Sequence, residues 1–283
     1  MKEFDFIEQL LKPIAGKNSF GLRDDCAFFD GYAITKDVLV EGIHFFSEDN
    51  PQNLAKKALR VNLSDLASCG AEPFGFMLGL GLTNKTNQNW LKNFVKGLEQ
   101  DIKKYNFQLL GGDTVSTKSR ITISVTAIGK VNKPVTRAGA KLNDNIFVTG
   151  KIGAGVLGLK SKIEGKGDAF SKHYELPTPR LDMTLVVRKY ANACIDISDG
   201  LLADLGHICK ESGYGAEIFS RDVPLYNGLP VMDLLTGGDD YQLLFTSKQN
   251  AIKGCYKIGK IVKGKGIKLD GKRISPKGYQ HKI

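Results

Sequence analysis

At 283 residues the chain is long enough for two domains, and its 42 % hydrophobic content supplies a sizeable core, while 25 % charged residues is ordinary for a globular protein. The longest apolar run, Phe74–Leu82, is interrupted by glycines and falls far short of the about 20 residues of a membrane helix; the mixed Met1–Phe6 start has no signal-peptide core. A net charge of +10 fits a solvated basic surface or attraction of an anionic small substrate; without an arginine-rich arm or interleaved aromatics it does not point to nucleic acid.

Phe4, Ile7, Leu10 and Leu11 recur at helical spacing until Pro13, which predicts a short helix. Tyr32–Leu39 reads as a strand. Leu54–Leu66 reads as a helix ended by Gly70, and Phe74–Leu82 as a strand. Trp90, Phe94, Leu98 and Ile102 step by four along a strong helix, followed by strands at Phe107–Leu110 and Ile121–Ile128. Pro, Gly and Lys concentrate over Val131–Leu142, so the domain boundary is set there, giving units 1–137 and 138–283. Beyond it come a strand at Asn145–Thr149, a helix at Leu181–Tyr190 and a strand at Cys194–Ile197. A helix at Leu201–Ser212, a strand at Tyr241–Thr246 and a Lys/Gly-rich tail of short strands complete the chain. Helices and strands interleave in both halves, which predicts two mixed α/β domains with helices on sheets. Cys26, Cys69, Cys194, Cys209 and Cys255 are dispersed, with no C-x-x-C pair. They read as reduced thiols in a cytoplasmic protein, and with four scattered histidines they do not suggest zinc.

The informative residues are acids beside glycines or at element ends: Asp24-Asp25, Asp37, Asp65, Asp113, Asp196 with Asp199, and Asp239-Asp240. Each alone fits a turn or an N-cap. Carboxylates gathered from several elements would instead repel one another unless cations lay between them, and Mg2+ favours such oxygen ligands shared with substrate phosphates. There is no G-x-x-x-x-G-K-[ST], no H-R-D or D-F-G, no G-x-S-x-G, and no G-x-G-x-x-G after a strand. An ATP-using enzyme built on this chain must hold phosphates through metal rather than through a P-loop.

Taken in order, several segments resemble the thiamine-monophosphate kinase family of the aminoimidazole-ribonucleotide-synthetase-like superfamily. They are Asp24-Asp25-Cys26-Ala27, Thr35-Lys36-Asp37 through Val40-Glu41-Gly42-Ile43-His44-Phe45, and Lys57 through Val61-Asn62-Leu63-Ser64-Asp65-Leu66-Ala67. Further on come Gly111-Gly112-Asp113-Thr114, Thr136-Arg137-Ala138-Gly139, Ile195-Asp196-Ile197-Ser198-Asp199-Gly200, Gly237-Gly238-Asp239-Asp240-Tyr241 and Lys277-Gly278-Tyr279. The resemblance implies a two-domain fold whose N-terminal sheets pair across a homodimer. It implies direct, phosphoenzyme-free transfer of the ATP γ-phosphoryl group to thiamine monophosphate with several Mg2+ ions. It also places Asp25, Thr35, Lys36, Asp37, Asp65, Asp113, Asp196 and Asp199 on metal. Tyr105, Gly112, Asp113, Arg137 and Ser198 would face ATP, and His44, Asp239 and Tyr279 the thiamine substrate.

Three residues depart from the family pattern. Arg23 stands for a glycine and Asp239 for a glutamate. Lys36 replaces a small polar residue, and as an ammonium it can serve a metal only through its backbone carbonyl. The competing readings are another ATP-using superfamily member, or a nucleotide and metal sensor without turnover.

Overall fold

The computed structural model describes residues 3–275, 278, 279 and 281; Lys277 of the resembling tail lies outside them. Helix α1 (Glu3–Phe6) continues through a π turn over Ile7–Leu11 and a 3-10 turn over Lys12–Ile14. Pro13 therefore sits in the first turn of that last segment, where its missing N–H costs nothing. This leading segment leans on the far half of the chain: the Phe4 ring lies 5.1 Å from His207, and Lys210 Nζ meets Glu8 Oε1 at 3.3 Å.

The first sheet comprises β1 (Ala27–Phe29), β2 (Tyr32–Val40), β3 (Glu72–Leu82), β4 (Gln108–Ser116) and β5 (Thr122–Lys130), in the order β1-β2-β5-β3-β4. Helix α2 (Pro51–Ser68) packs on it, and α3 (Gln88–Tyr105) packs on α2. Helix α2 begins where the Asn50 side chain accepts hydrogen bonds from the Gln52 and Asn53 amides, with Pro51 at the first turn. It ends at Gly70, whose φ of +75° suits a residue without a side chain. Its Leu59, Leu63 and Leu66 are fully buried with Phe76, Phe94 and Ile123. Its other side meets the second unit, so α2 is covered nearly all round.

The second sheet holds seven strands: β6 (Asn145–Val148), β7 (Ala193–Asp196), β8 (Gly215–Ile218), β9 (Leu243–Ser247), β10 (Tyr256–Val262), β11 (Gly266–Leu269) and β12 (Lys272–Ile274), ordered β12-β11-β8-β10-β6-β9-β7. Its helices are α4 (Ala154–Ile163), α5 (Ala169–Glu175), α6 (Thr184–Tyr190), α7 (Leu201–Ser212) and α8 (Val231–Thr236). One core gathers Ile146, Ile195, Leu205 and Leu244; the other gathers Phe147, Val187 and Phe245. Strand residues on both faces are thus buried.

The structure differs from the sequence reading at β4. The Gly111-Gly112-Asp113 segment, expected to close a strand, lies inside one that runs on to Ser116. A side chain at Gly112 would stand 2.0 Å from the Leu78 carbonyl oxygen, so close strand contact explains this glycine without a nucleotide. Helix α4, glycine-rich and unrecognised from periodicity, is held by the buried Asp240, which accepts from the Gly153 and Gly155 amides at 2.8 and 3.0 Å.

Candidate active site

A cleft of about 670 Å³ runs between the two sheets, walled by β2, α2, α4 and the segments after β7 and α8. Helix α2 organises its acidic floor through residues spaced over little more than one turn. Ser64 Oγ donates to Asp196 Oδ2 (2.6 Å), and Ser68 Oγ donates to Asp25 Oδ2 (2.5 Å). Asp65, between them, accepts at Oδ2 from Thr35 Oγ1 (2.5 Å) on β2. Carboxylate oxygens of Asp25, Asp65 and Asp196 consequently lie within 4.8 Å of one another, although they come from a loop, a helix and a strand end. Asp37, two residues after Thr35 and so on the same face of β2, joins them at the cleft wall.

Gathering these carboxylates under cover is electrostatically costly, and protons partly relieve it. Burial, then the Asp25 charge, pushes Asp196 up to about 8 and Asp37 up to about 6. Asp65 is driven well above the usual range by burial and by Asp37, Asp196 and Asp25. Arg137 supplies a countercharge. Its Nε donates to Asp25 Oδ1 at 2.9 Å, its Nη2 reaches the same oxygen, and its amide donates to Asp24 Oδ2 at 3.2 Å. Burial opposes the guanidinium charge, but Asp25 outweighs it and holds Arg137 above its ordinary pKa. Oxygen-only donors with hydroxyls behind them could hold a hard divalent cation.

A second trio, Asp199, Asp204 and His207, also lies within 4.8 Å. Asp204 caps α7 by accepting from the Gly200 amide at 3.1 Å, and burial followed by Arg137 pushes His207 down to about 4, leaving its ring neutral. Of this trio Asp199 lines the cleft, as does the preceding Ser198.

His44, Asp239 and Tyr279 line the same cleft, and the amides of Asp239 and Tyr279 donate to the carbonyl oxygens of Ser198 and Asp199 at 2.9 and 3.1 Å. His44 Nδ1 accepts from the Val40 amide at 3.0 Å, and its ring lies 5.1 Å from that of His281, which in turn is 5.0 Å from Tyr279. Asp239 is in the left-handed region (φ +63°), an unusual conformation for a side-chain-bearing residue, and accepts at Oδ1 from Tyr241 OH at 2.8 Å. Lys36 borders the cleft but sends its ammonium to Ser124 Oγ (2.7 Å) and Thr126 Oγ1 (3.2 Å) on β5. Arg23 stands 3.6 Å from the Glu211 carboxylate.

Three expected residues are not brought together with the rest. Tyr105 ends α3, packs on the first core, and buries its hydroxyl with no partner among the described residues. Gly112 and Asp113 lie on the edge strand: register runs Asp37–Val125–Leu78–Gly112. Three strand spacings separate Asp113 from the acidic floor of its own chain by roughly 14 Å.

Residues 23–131 match the family description "AIR synthase related protein, N-terminal domain", and residues 141–272 its C-terminal domain. A thiamine-monophosphate kinase of Aquifex aeolicus is 35 % identical over 302 residues, spanning 99 % of this chain and 97 % of its own. The chain belongs to the thiamine-monophosphate kinase family. A second member, from Caulobacter vibrioides, is 34 % identical over 318 residues, with 99 % of this chain and 90 % of its own covered. The solved structure of AaThiL complexed with AMPPCP and TMP superposes with a TM-score of 0.92 at 33 % identity, over 99 % of this chain and 97 % of that one.

Within this kinase, four cleft or near-cleft residues escaped sequence reasoning: Ser64, Ser68, Asp204 and Lys57. The serines sit at i and i+4 on α2 flanking Asp65, a helical-face signal that could have found them. Lys57 shares that helical face at two steps of four before Asp65, whereas Asp204 carries no such mark. Each matters because of what folding sets beside it.

Proposed function

We propose that the protein transfers the γ-phosphoryl group of ATP directly to thiamine monophosphate, giving thiamine diphosphate and ADP, with Mg2+ held at the carboxylate floor. The convergence of Asp25, Asp65 and Asp196 within 4.8 Å, in a chain similar over nearly its full length to thiamine-monophosphate kinases, carries this reading. Two anionic substrates repel each other, and bound Mg2+ would supply the neutralising charge. Asp25, Thr35, Asp37, Asp65, Asp196 and Asp199 would hold it, with Lys36 contributing only its backbone carbonyl. Arg137 and Ser198 would orient the nucleotide phosphates, the arginine through bidentate contact. His44, Asp239 and Tyr279 would orient the thiamine, Tyr279 through its ring face against the cationic thiazolium. The acceptor phosphate oxygen is already anionic near neutral pH, so no general base is required. In-line alignment can lower the barrier by about 7–11 kcal/mol.

We further propose a homodimer joined through the first sheet and a metal- and nucleotide-binding unit ending near residue 137. The support for a dimer is β4, an edge strand exposed along its length that carries exposed Leu109, Leu110 and Val115. In that arrangement Gly112 and Asp113 would serve the nucleotide from the dimer seam, and Tyr105 would remain a packing residue. No helix among the described residues is long and apolar enough to cross a membrane. The free thiols suit the reducing cytoplasm.

A coupled assay of ADP formation tests the activity. Turnover is expected with thiamine monophosphate and Mg2+, and not with free thiamine, with formylglycinamidine ribonucleotide or in chelator. ATP binding without turnover on any of these would instead establish a sensor.

A further inference from the structure

Lys57 is 3 % exposed yet borders the cleft, and neither the acidic floor nor the family resemblance gives it a role. Its Nζ donates to the His44 carbonyl oxygen at 3.1 Å and lies 3.6 Å above the centroid of the Tyr174 ring. Tyr174 OH donates to the same carbonyl at 3.2 Å, so one backbone oxygen fixes both the ring and the ammonium. Of the carboxylates near it, Asp49 and Glu175 are paired with Lys162 instead, and Asp239, on the same cleft, acts on it through charge without an ion pair. Among the described residues no carboxylate forms an ion pair with Lys57. An ammonium carries three donors. One is spent on the carbonyl, one side is covered by the aromatic face, and a third is left for the cleft. Buried donors are almost always satisfied, so a donor held this rigidly beside a substrate cleft marks a ligand contact.

Position on α2 selects the part of the ligand. Lys57, Val61 and Asp65 follow one another at i, i+4 and i+8 on the cleft face. Eight residues of helix put Lys57 about 12 Å from Asp65 along the axis. A substrate whose phosphate lies at the acids would therefore present its far ring to Lys57. The thiazolium ring is cationic and would be repelled by an ammonium. The aminopyrimidine ring is neutral and its nitrogens carry lone pairs.

We propose that Lys57 is a specificity-determining residue that donates a hydrogen bond to a ring nitrogen of the aminopyrimidine of thiamine monophosphate. The assignment rests on the phosphoryl-transfer reading above, and the test separates the two.

Wild type and Lys57→Met are compared in the ADP assay on thiamine monophosphate and on its two analogues in which one pyrimidine ring nitrogen is replaced by CH. Wild type is expected to lose about 10–100-fold in kcat/KM on one analogue, as for a hydrogen bond to a charged donor. Lys57→Met should show a similar loss on thiamine monophosphate, and no further loss on that analogue. Its KM for ATP should stay within about 2-fold of wild type. Equal wild-type use of all three substrates overturns the proposal, and this measurement needs no variant. It is also overturned if Lys57→Met still discriminates against the same analogue, or if KM for ATP rises in step, which would place Lys57 on the nucleotide. Absence of wild-type turnover on thiamine monophosphate would instead defeat the underlying reading.

Discussion

Replacing Asp65 by asparagine separates a metal-binding carboxylate from a structural one, because stability and activity should move in opposite directions. The side chain lies within 4.8 Å of two further carboxylates, where each ionised pair at an effective dielectric of about 20 repels by roughly 3 kcal/mol. Partial protonation relieves much of that repulsion, so neutralising Asp65 should stabilise the metal-free protein by about 1–2 kcal/mol, a rise in Tm of roughly 2–6 °C. The asparagine amide oxygen can still accept from Thr35 Oγ1, so the local hydrogen bond need not be lost. The same change withdraws a charge that offsets bound cation, and kcat should fall by at least about 100-fold. Thermal unfolding in chelator and in Mg2+, read beside the ADP assay, measures both. Wild type should gain more from Mg2+ than the variant does. A near-normal kcat, or a metal-free Tm that falls together with activity, would refute the idea that repelling carboxylates are assembled here for a cation.

Two other predictions extend this reasoning. Asp24 at about 7 and Asp196 at about 8 bind protons more tightly in the folded chain than at their ordinary 3.8. Metal-free stability should therefore fall as pH rises from about 6.5 to about 8. Below that window, His207, pushed down to about 4, acts in the opposite sense. The stabilisation by Mg2+ should grow from pH 6.5 to 8, and Tm curves that are flat or rising in chelator would contradict the cluster's electrostatics. Val115→Lys places a charge on the exposed β4 edge, 54 % open in the single chain, and should shift a dimer toward monomer in sedimentation at micromolar concentration; an unchanged sedimentation coefficient equal to that of a wild-type dimer would rule this edge out as the interface.

Much of the architecture could be read from local patterns, because those patterns record which side of an element faces apolar surroundings. The four-residue spacing of Trp90, Phe94, Leu98 and Ile102 marks α3, and Leu201–Ser212 is a helix over the span that periodicity gives. The same reasoning misjudged Gly111-Gly112-Asp113, since Gly112, which looks like part of a turn, is required by the approach of β4 to β3, while Gly111 has room for a side chain. It passed over α4, where glycines obscure the period and the deciding contact is a carboxylate 85 or more residues away.

For the site, the chain order of acidic segments was enough to indicate the family and to single out Asp25, Asp65 and Asp196, since residue type and neighbouring glycines are local properties. Their mutual approach within 4.8 Å is not local. It depends on α2 being wedged between two sheets, so that Ser64 and Ser68 draw in acids from opposite halves of the chain. The same wedge buries Lys57 against Tyr174, and the sheet order holds Asp113 apart at an edge. Type and order are written along the chain, whereas distance, burial and the pKa changes they cause arise only when remote segments exclude water together.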